Sequence, residues 1–150
     1  EGEYAFAEVR SDRTSYGSRD KGKDWVGTAS GLWTIACAVY LSLMGPKGMK
    51  EIGEVIIKNS RYAQNLISSL PGVSMKFSRP HFKEFLVDFS DTGKSVAHIN
   101  AALLKKKIFG GKDVSREYPD LGECALFCVT EVHTKEDLNR LYLALEEIVQ

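Results

Sequence analysis

The sequence predicts an α+β fold, with two leading helices followed by a small sheet that carries helices on one face. Three observations predict it. The stretch "GTASGLWTIACAVYLSLMGP", residues 27–46, has no charged side chain in a 150-residue chain that is 27% charged, and its apolar positions recur at helical spacing. From Val73 the apolar period shortens to two, the rhythm of strands. From Thr134 the 3.6-residue period returns behind a helix-start signal. Helices and strands that are segregated rather than strictly alternating make an α+β unit, and the length suits one domain with one core.

The first part, residues 1–29, is polar and irregular. Its "EVRSDRTSYGSRDKGKD" has five basic and four acidic residues with two glycines, too little apolar surface to fold alone. A helix is expected from about Ser30 to Met44. Leu32, Ile35, Val39 and Leu43 mark one face, and Trp33, Cys37 and Leu41 mark another. A helix apolar all round is covered all round. Gly45-Pro46 ends it, because glycine suits a left-handed cap and proline cannot continue the ladder.

A second helix is expected from Lys47 to Leu70, with Ile52, Ile56, Ala63, Leu66, Ile67 and Leu70 in one stripe. At roughly 1.5 Å per residue it would span about 36 Å, longer than one small core requires. Residues 30–70 therefore read as two helices leading to an α+β domain over residues 71–150. In that domain Val73, Met75 and Phe77 alternate, as do Phe85, Val87 and Phe89 beyond a short "SRPH" link, which predicts a hairpin. Asp91-Thr92 can cap a helix through Val96, Ile99 and Leu103, ending before Gly110-Gly111. "CALFCVTEV", apolar on both faces at its start, reads as a central strand. Thr134 to Asp137 is a capping-box pattern that opens a last helix, with Leu138, Leu141, Leu145, Ile148 and Val149 buried.

The formal net charge is zero, so the basic footprint of a nucleic-acid binder is missing. Lys105-Lys106-Lys107 suits the negative end of a helix dipole. The apolar run of residues 32–44 is too short to span a bilayer. The opening "EGEYAFAEVR" places acids before any apolar run and lacks a Met, so it reads as an interior piece without a secretory leader. Cys37, Cys124 and Cys128 form no Cys-x-x-Cys pair and read as buried free thiols of a reducing compartment.

"TGKS", residues 92–95, lacks the earlier glycine of a phosphate loop, since Asp88 stands there, and reads as a helix-cap turn. His81, His98 and His133 lack zinc-site spacing. Glu131, the one acid on the last strand, reads as a paired structural acid. No nucleophile elbow is present.

The succession "WVGTASGLWTIACAVYLSLMGPKGMKEIGE", "NLISSLPGV", "FKEFLVDF" and "VTEVHTKEDLNRLYLALEEIV" resembles the C-terminal part of subunit 1 of glycine dehydrogenase (decarboxylating), the P-protein family of the glycine cleavage system. The resemblance runs from about Val9 to the end. It implies fold type I of the pyridoxal-phosphate enzymes, in which a long helix leads from a large domain to a C-terminal α+β small domain. It also implies that most of the natural subunit, including the large domain, lies outside this sequence. The activity implied is decarboxylation of glycine, with the aminomethyl group passed to the lipoyl arm of H-protein.

In split enzymes of this family the cofactor-binding lysine belongs to subunit 2. Lys21, Lys23 and Lys94 match no lysine motif of the fold. No catalytic, cofactor-binding or metal-binding residue is therefore assigned here, and pyridoxal phosphate is expected only in the holoenzyme, through the partner. Fold type I aminotransferases commonly hold the substrate carboxylate with a small-domain arginine. "LFCVTEV" has none, and Arg140 lies outside that strand, although Arg79 or Arg116 could reach from a loop. The alternatives are the small domain of another fold type I aminotransferase or lyase, and a non-enzymatic ligand-sensing or scaffold module. Partner contacts are expected at Arg19, Lys21 and Trp25 of the polar head, and at Trp33, Val39, Tyr40 and Leu43 of the first helix. The chain alone is expected to be inactive and to pair with itself, and the holoenzyme to be cytoplasmic.

Overall fold

The computed structural model describes residues 31–150; the irregular segment expected over 1–29 lies outside them. The chain divides into two compact units at Gly45. The helical run α1, Gly31–Ile67, crosses that division, and Gly45 breaks it with φ 59° and ψ −178°. Only glycine takes that backbone conformation readily, and Pro46 follows with no amide hydrogen to offer. The break falls where the sequence places it. The second limb ends at Ile67, short of Leu70, in a turn closed by Leu70 N–H donating to the Ile67 carbonyl at 3.2 Å.

In the second unit the strands are β1 (Ser74–Met75), β2 (Glu84–Asp88), β3 (Lys112–Asp113) and β4 (Cys124–Cys128). The helices after α1 are α2 (Val96–Lys105) and α3 (Lys135–Val149). The sheet runs β1-β2-β4-β3, antiparallel throughout, so β4 is central, as its two apolar faces predict. Phe85 stands opposite Phe127, and Val87 opposite Ala125. Strand side chains alternate between faces, so these four share one face. With Phe89 and Val129 they are buried under Ala63 and Ile67 of α1, Val96, Ile99 and Leu103 of α2, and Leu138 and Leu145 of α3. The Phe85 and Phe127 rings stack 6.0 Å apart. The three α-helices among the described residues thus contribute to the core on a single sheet face.

The expected hairpin forms, but with a different connection. β1 pairs only over Ser74–Met75, the link runs over residues 76–83, and Phe77 is exposed rather than part of an alternating strand. The cap of α2 is Ser95, whose hydroxyl accepts from His98 N–H at 3.2 Å. Asp91 and Thr92 are instead used in a 3-10 turn, in which Thr92 donates its hydroxyl to the Phe89 carbonyl. α2 ends well before Gly110. The amides of Lys107 and Ile108 donate to the carbonyls of Leu104 and Leu103, with Lys107 left-handed at φ 60°. That is a Schellman ending with lysine where glycine is usual. The capping box of α3 forms as expected: Thr134 Oγ1 accepts from Asp137 N–H, and the Asp137 carboxylate accepts from Thr134 N–H.

Candidate functional site

Two surfaces carry the residues that sequence reasoning singled out. The first is the limb of α1 over residues 31–44. Trp33, Val39, Tyr40 and Leu43 are exposed there, Leu43 to 81% and Trp33 to 74%. Leu32, Ile35 and Leu41 are exposed beside them. Arg19, Lys21 and Trp25 lie outside the described residues. An apolar limb of this size offers a surface for recognition; it carries no charged side chain, and its polar groups include Thr34, Tyr40, Ser42 and the exposed Cys37. Cys37 and Cys128 are both exposed, which corrects the expectation of three buried thiols. Cys128 sits on β4, on the opposite face from Phe127, and none of the described helices packs its core residues on that face.

The second surface is that open sheet face. Asp88 ends β2 and stands opposite Cys124. Lys76 Nζ donates to Asp88 Oδ2 at 2.8 Å, and Ser90 donates to Oδ1 through its amide at 3.0 Å and its hydroxyl at 2.6 Å. Burial alone would raise the Asp88 carboxyl, but the hydrogen bonds from Lys76 and Ser90 outweigh it and hold the group below the usual carboxylate range. The Asp88 hydrogen bond correspondingly raises Lys76. Burial, and then the charge of Asp88, push the Cys124 thiol up, so it is a poor nucleophile.

Ser90 Oγ also accepts from Glu123 N–H, and the Glu123 carboxylate accepts from Val96 N–H at the start of α2. This network ties β2, β4 and α2 together. Its role is structural.

That network sets a pH dependence. A carboxylate with a depressed folded pKa stabilises above its unfolded value, and the contribution is lost as pH falls through the folded value. Asp88→Ala is expected to cost about 1–2 kcal/mol at neutral pH, allowing for partial solvent access. The difference from wild type should shrink below about pH 4, where the unfolded carboxyl titrates. Urea midpoints across that range would check it; a constant difference would remove the assignment.

The remaining candidates resolve as supports. Lys94 of "TGKS" donates its ammonium to the Ile148 carbonyl near the end of α3, so the motif is a cap turn, as read. His81 meets the side chain of Gln64, and its ring lies 5.8 Å from that of Phe85, tilted by 47°. His133 Nδ1 accepts from Thr130 N–H at 3.0 Å. Glu131 is exposed in a turn after β4 rather than on the strand. Among the described residues no cluster of His, Cys, Asp and Glu could hold a metal ion. No helix among them is long and apolar enough to cross a membrane. Arg79 and Arg116 are exposed.

The sequence matches the family of glycine cleavage system P-proteins over residues 1–145. It is 39% identical over 130 residues to a probable glycine dehydrogenase (decarboxylating) subunit 1 of Desulfitobacterium hafniense, covering 87% of this chain and 28% of that protein. With the protein of the same description from Pyrococcus horikoshii it shares 36% identity over 149 residues, 99% of this chain and 32% of the relative. The chain thus spans about a third of the length of these relatives. Among solved structures, glycine decarboxylase (P-protein) of the glycine cleavage system in inhibitor-bound form superposes with a TM-score of 0.76 at 31% identity, over 93% of this chain and 31% of that one. A sphingosine-1-phosphate lyase of Burkholderia pseudomallei superposes at 0.65 with 21% identity, over 83% of this chain and 26% of the other, and shows the fold alone. The expected α+β small domain of a fold type I enzyme is the fold observed.

Proposed function

The chain belongs to the glycine cleavage system P-protein family, and from that premise we propose that it is the C-terminal part of glycine dehydrogenase (decarboxylating) subunit 1. In that enzyme glycine loses its carboxyl group as carbon dioxide. The aminomethyl group passes to one sulfur of the lipoyl disulfide of H-protein, and the disulfide is reduced as it opens. The observation that carries this reading is the match along nearly the whole chain to relatives described as subunit 1. The same match favours it over an aminotransferase or a sensing module.

Several lysines of the described residues are already engaged by neighbouring groups or lie open at the surface. Lys76, Lys106 and Lys112 are held by Asp88, Glu147 and Glu117, Lys94 by a backbone carbonyl, and Lys107 is exposed at a helix end. We therefore assign the cofactor to subunit 2, and to this chain the support of that subunit within a cytoplasmic oligomer.

Titrating the chain with pyridoxal phosphate is expected to give no absorbance band of a lysine adduct and no borohydride-trapped product. A trapped lysine in this chain would overturn the assignment. The activity itself is tested with the full-length subunit, subunit 2 and lipoylated H-protein. Carbon dioxide release from carboxyl-labelled glycine should require both subunits, and release by subunit 2 alone at the full rate would sink the proposal.

A further inference from the structure

A pocket of about 250 Å³ opens between the end of α2, the end of β4 and the first turns of α3. Its floor is apolar, with Phe127 and Val129 both buried in the core. Lys107, His133 and Arg140 also line it. Nothing in the proposed glycine chemistry uses these groups, and their arrangement is specific.

Arg140 donates one guanidinium N–H to the Lys106 carbonyl at 2.9 Å. That bond fixes the head while other N–H groups of its five-donor fork stay available. His133 Nδ1 is occupied by Thr130 N–H, so in the neutral ring Nε2 carries the proton and acts as a donor. Asp137 lines the pocket too, but its Oδ2 already accepts from Thr134 N–H at 2.9 Å and from the Thr134 hydroxyl at 2.8 Å. Two cations and a ring N–H thus face one carboxylate already committed to a helix cap.

Lys107 adds an independent sign. It holds the left-handed position at the end of α2 with φ 60°, where glycine would sit without strain. A side chain kept against its own backbone preference points to a use, and here it supplies a cation to the pocket.

We propose that this pocket binds a small organic carboxylate with a short apolar tail. The volume lies below the range of drug-sized ligands. Bidentate pairing with an arginine suits a carboxylate, and the Phe127 and Val129 floor takes an aliphatic chain, for which inorganic phosphate has no use.

The test is a titration of the full chain followed by NMR, with sodium hexanoate as probe and hexan-1-ol and inorganic phosphate as controls. Hexanoate should shift the Val129 methyl and Phe127 ring signals saturably, with a Kd on the order of 1 mM, and both controls should bind at least roughly tenfold more weakly. Lys107→Gly separates binding from folding. It should raise Tm by about 2–4 °C by relieving the left-handed lysine, yet weaken hexanoate about three- to tenfold. Equal binding of hexanoate and hexanol, absence of saturable shifts at Val129 and Phe127, or unchanged hexanoate affinity in Lys107→Gly would each overturn the assignment.

Discussion

Replacing Phe89 by Ala is expected to remove about 3–5 kcal/mol of stability, the range for deleting a buried phenyl ring. Phe89 is fully buried and its ring lies 6.4 Å from that of Phe127. Its backbone is committed as well: the amide donates to the Glu123 carbonyl at 2.8 Å, and the carbonyl accepts from the Thr92 amide and hydroxyl. The chain therefore cannot shift to fill the void without breaking the junction of β2, β4 and the turn before α2. Set against the roughly 5–15 kcal/mol that a domain possesses, this loss leaves little. In urea the midpoint should fall by about 2 M with little change in slope. Phe109→Ala is the control, because Phe109 is 90% exposed and should change stability by about 0.5 kcal/mol or less. Equal effects at the two positions would mean that the core is not centred where the sheet and helices place it.

Legibility in the sequence followed how local each structural cause is. The break at Gly45, the capping box of Thr134 and Asp137 and the central place of β4 each rest on a few neighbouring residues, and each was readable. β3 was not. Its Lys112–Asp113 has neither β-branched nor apolar character, and it exists because Leu126 and Ala125 of β4 stand opposite it. Gly110-Gly111 read as the end of a helix, whereas a Cβ at Gly111 would come within 2.7 Å of the Phe127 ring. Glycine is needed there so that the ring can approach, a contact sixteen positions away in sequence that no local pattern encodes.

The alternation of Val73, Met75 and Phe77 overstated β1, which leaves the ladder after the Lys76 amide donates to the Leu86 carbonyl, while β2 runs on to Glu84. The pocket groups show the same limit. Lys107, His133 and Arg140 come from three segments, and only the packing of α3 beside the end of α2 brings them together. The left-handed Lys107 is the one signal a reader of the sequence could have weighed, at a helix end that lacks its glycine.

Introducing Glu at both Val39 and Leu43 is expected to abolish self-association of the chain. These positions lie four residues apart, one above the other on the helix, in the stripe that also holds Leu32 and Ile35. Val39 is 53% exposed and Leu43 81%. Burying each such side chain is worth roughly 1.5–3 kcal/mol, so several together give a strong drive toward any apolar partner. A two-fold pair covers the same stripe on both copies and closes on itself, which makes the dimer the simplest product when no other subunit is supplied. Two carboxylates at its centre would have to be desolvated without partners, at a cost beyond the apolar gain. The substituted chain should sediment as a monomer and keep the urea midpoint of the wild-type sheet domain, since neither residue belongs to its core. In the full-length subunit the same pair of substitutions should weaken assembly with subunit 2, as measured by light scattering. A wild-type chain that stays monomeric at high concentration, together with unchanged assembly of the substituted subunit, would show that Trp33, Val39, Tyr40 and Leu43 contact no partner.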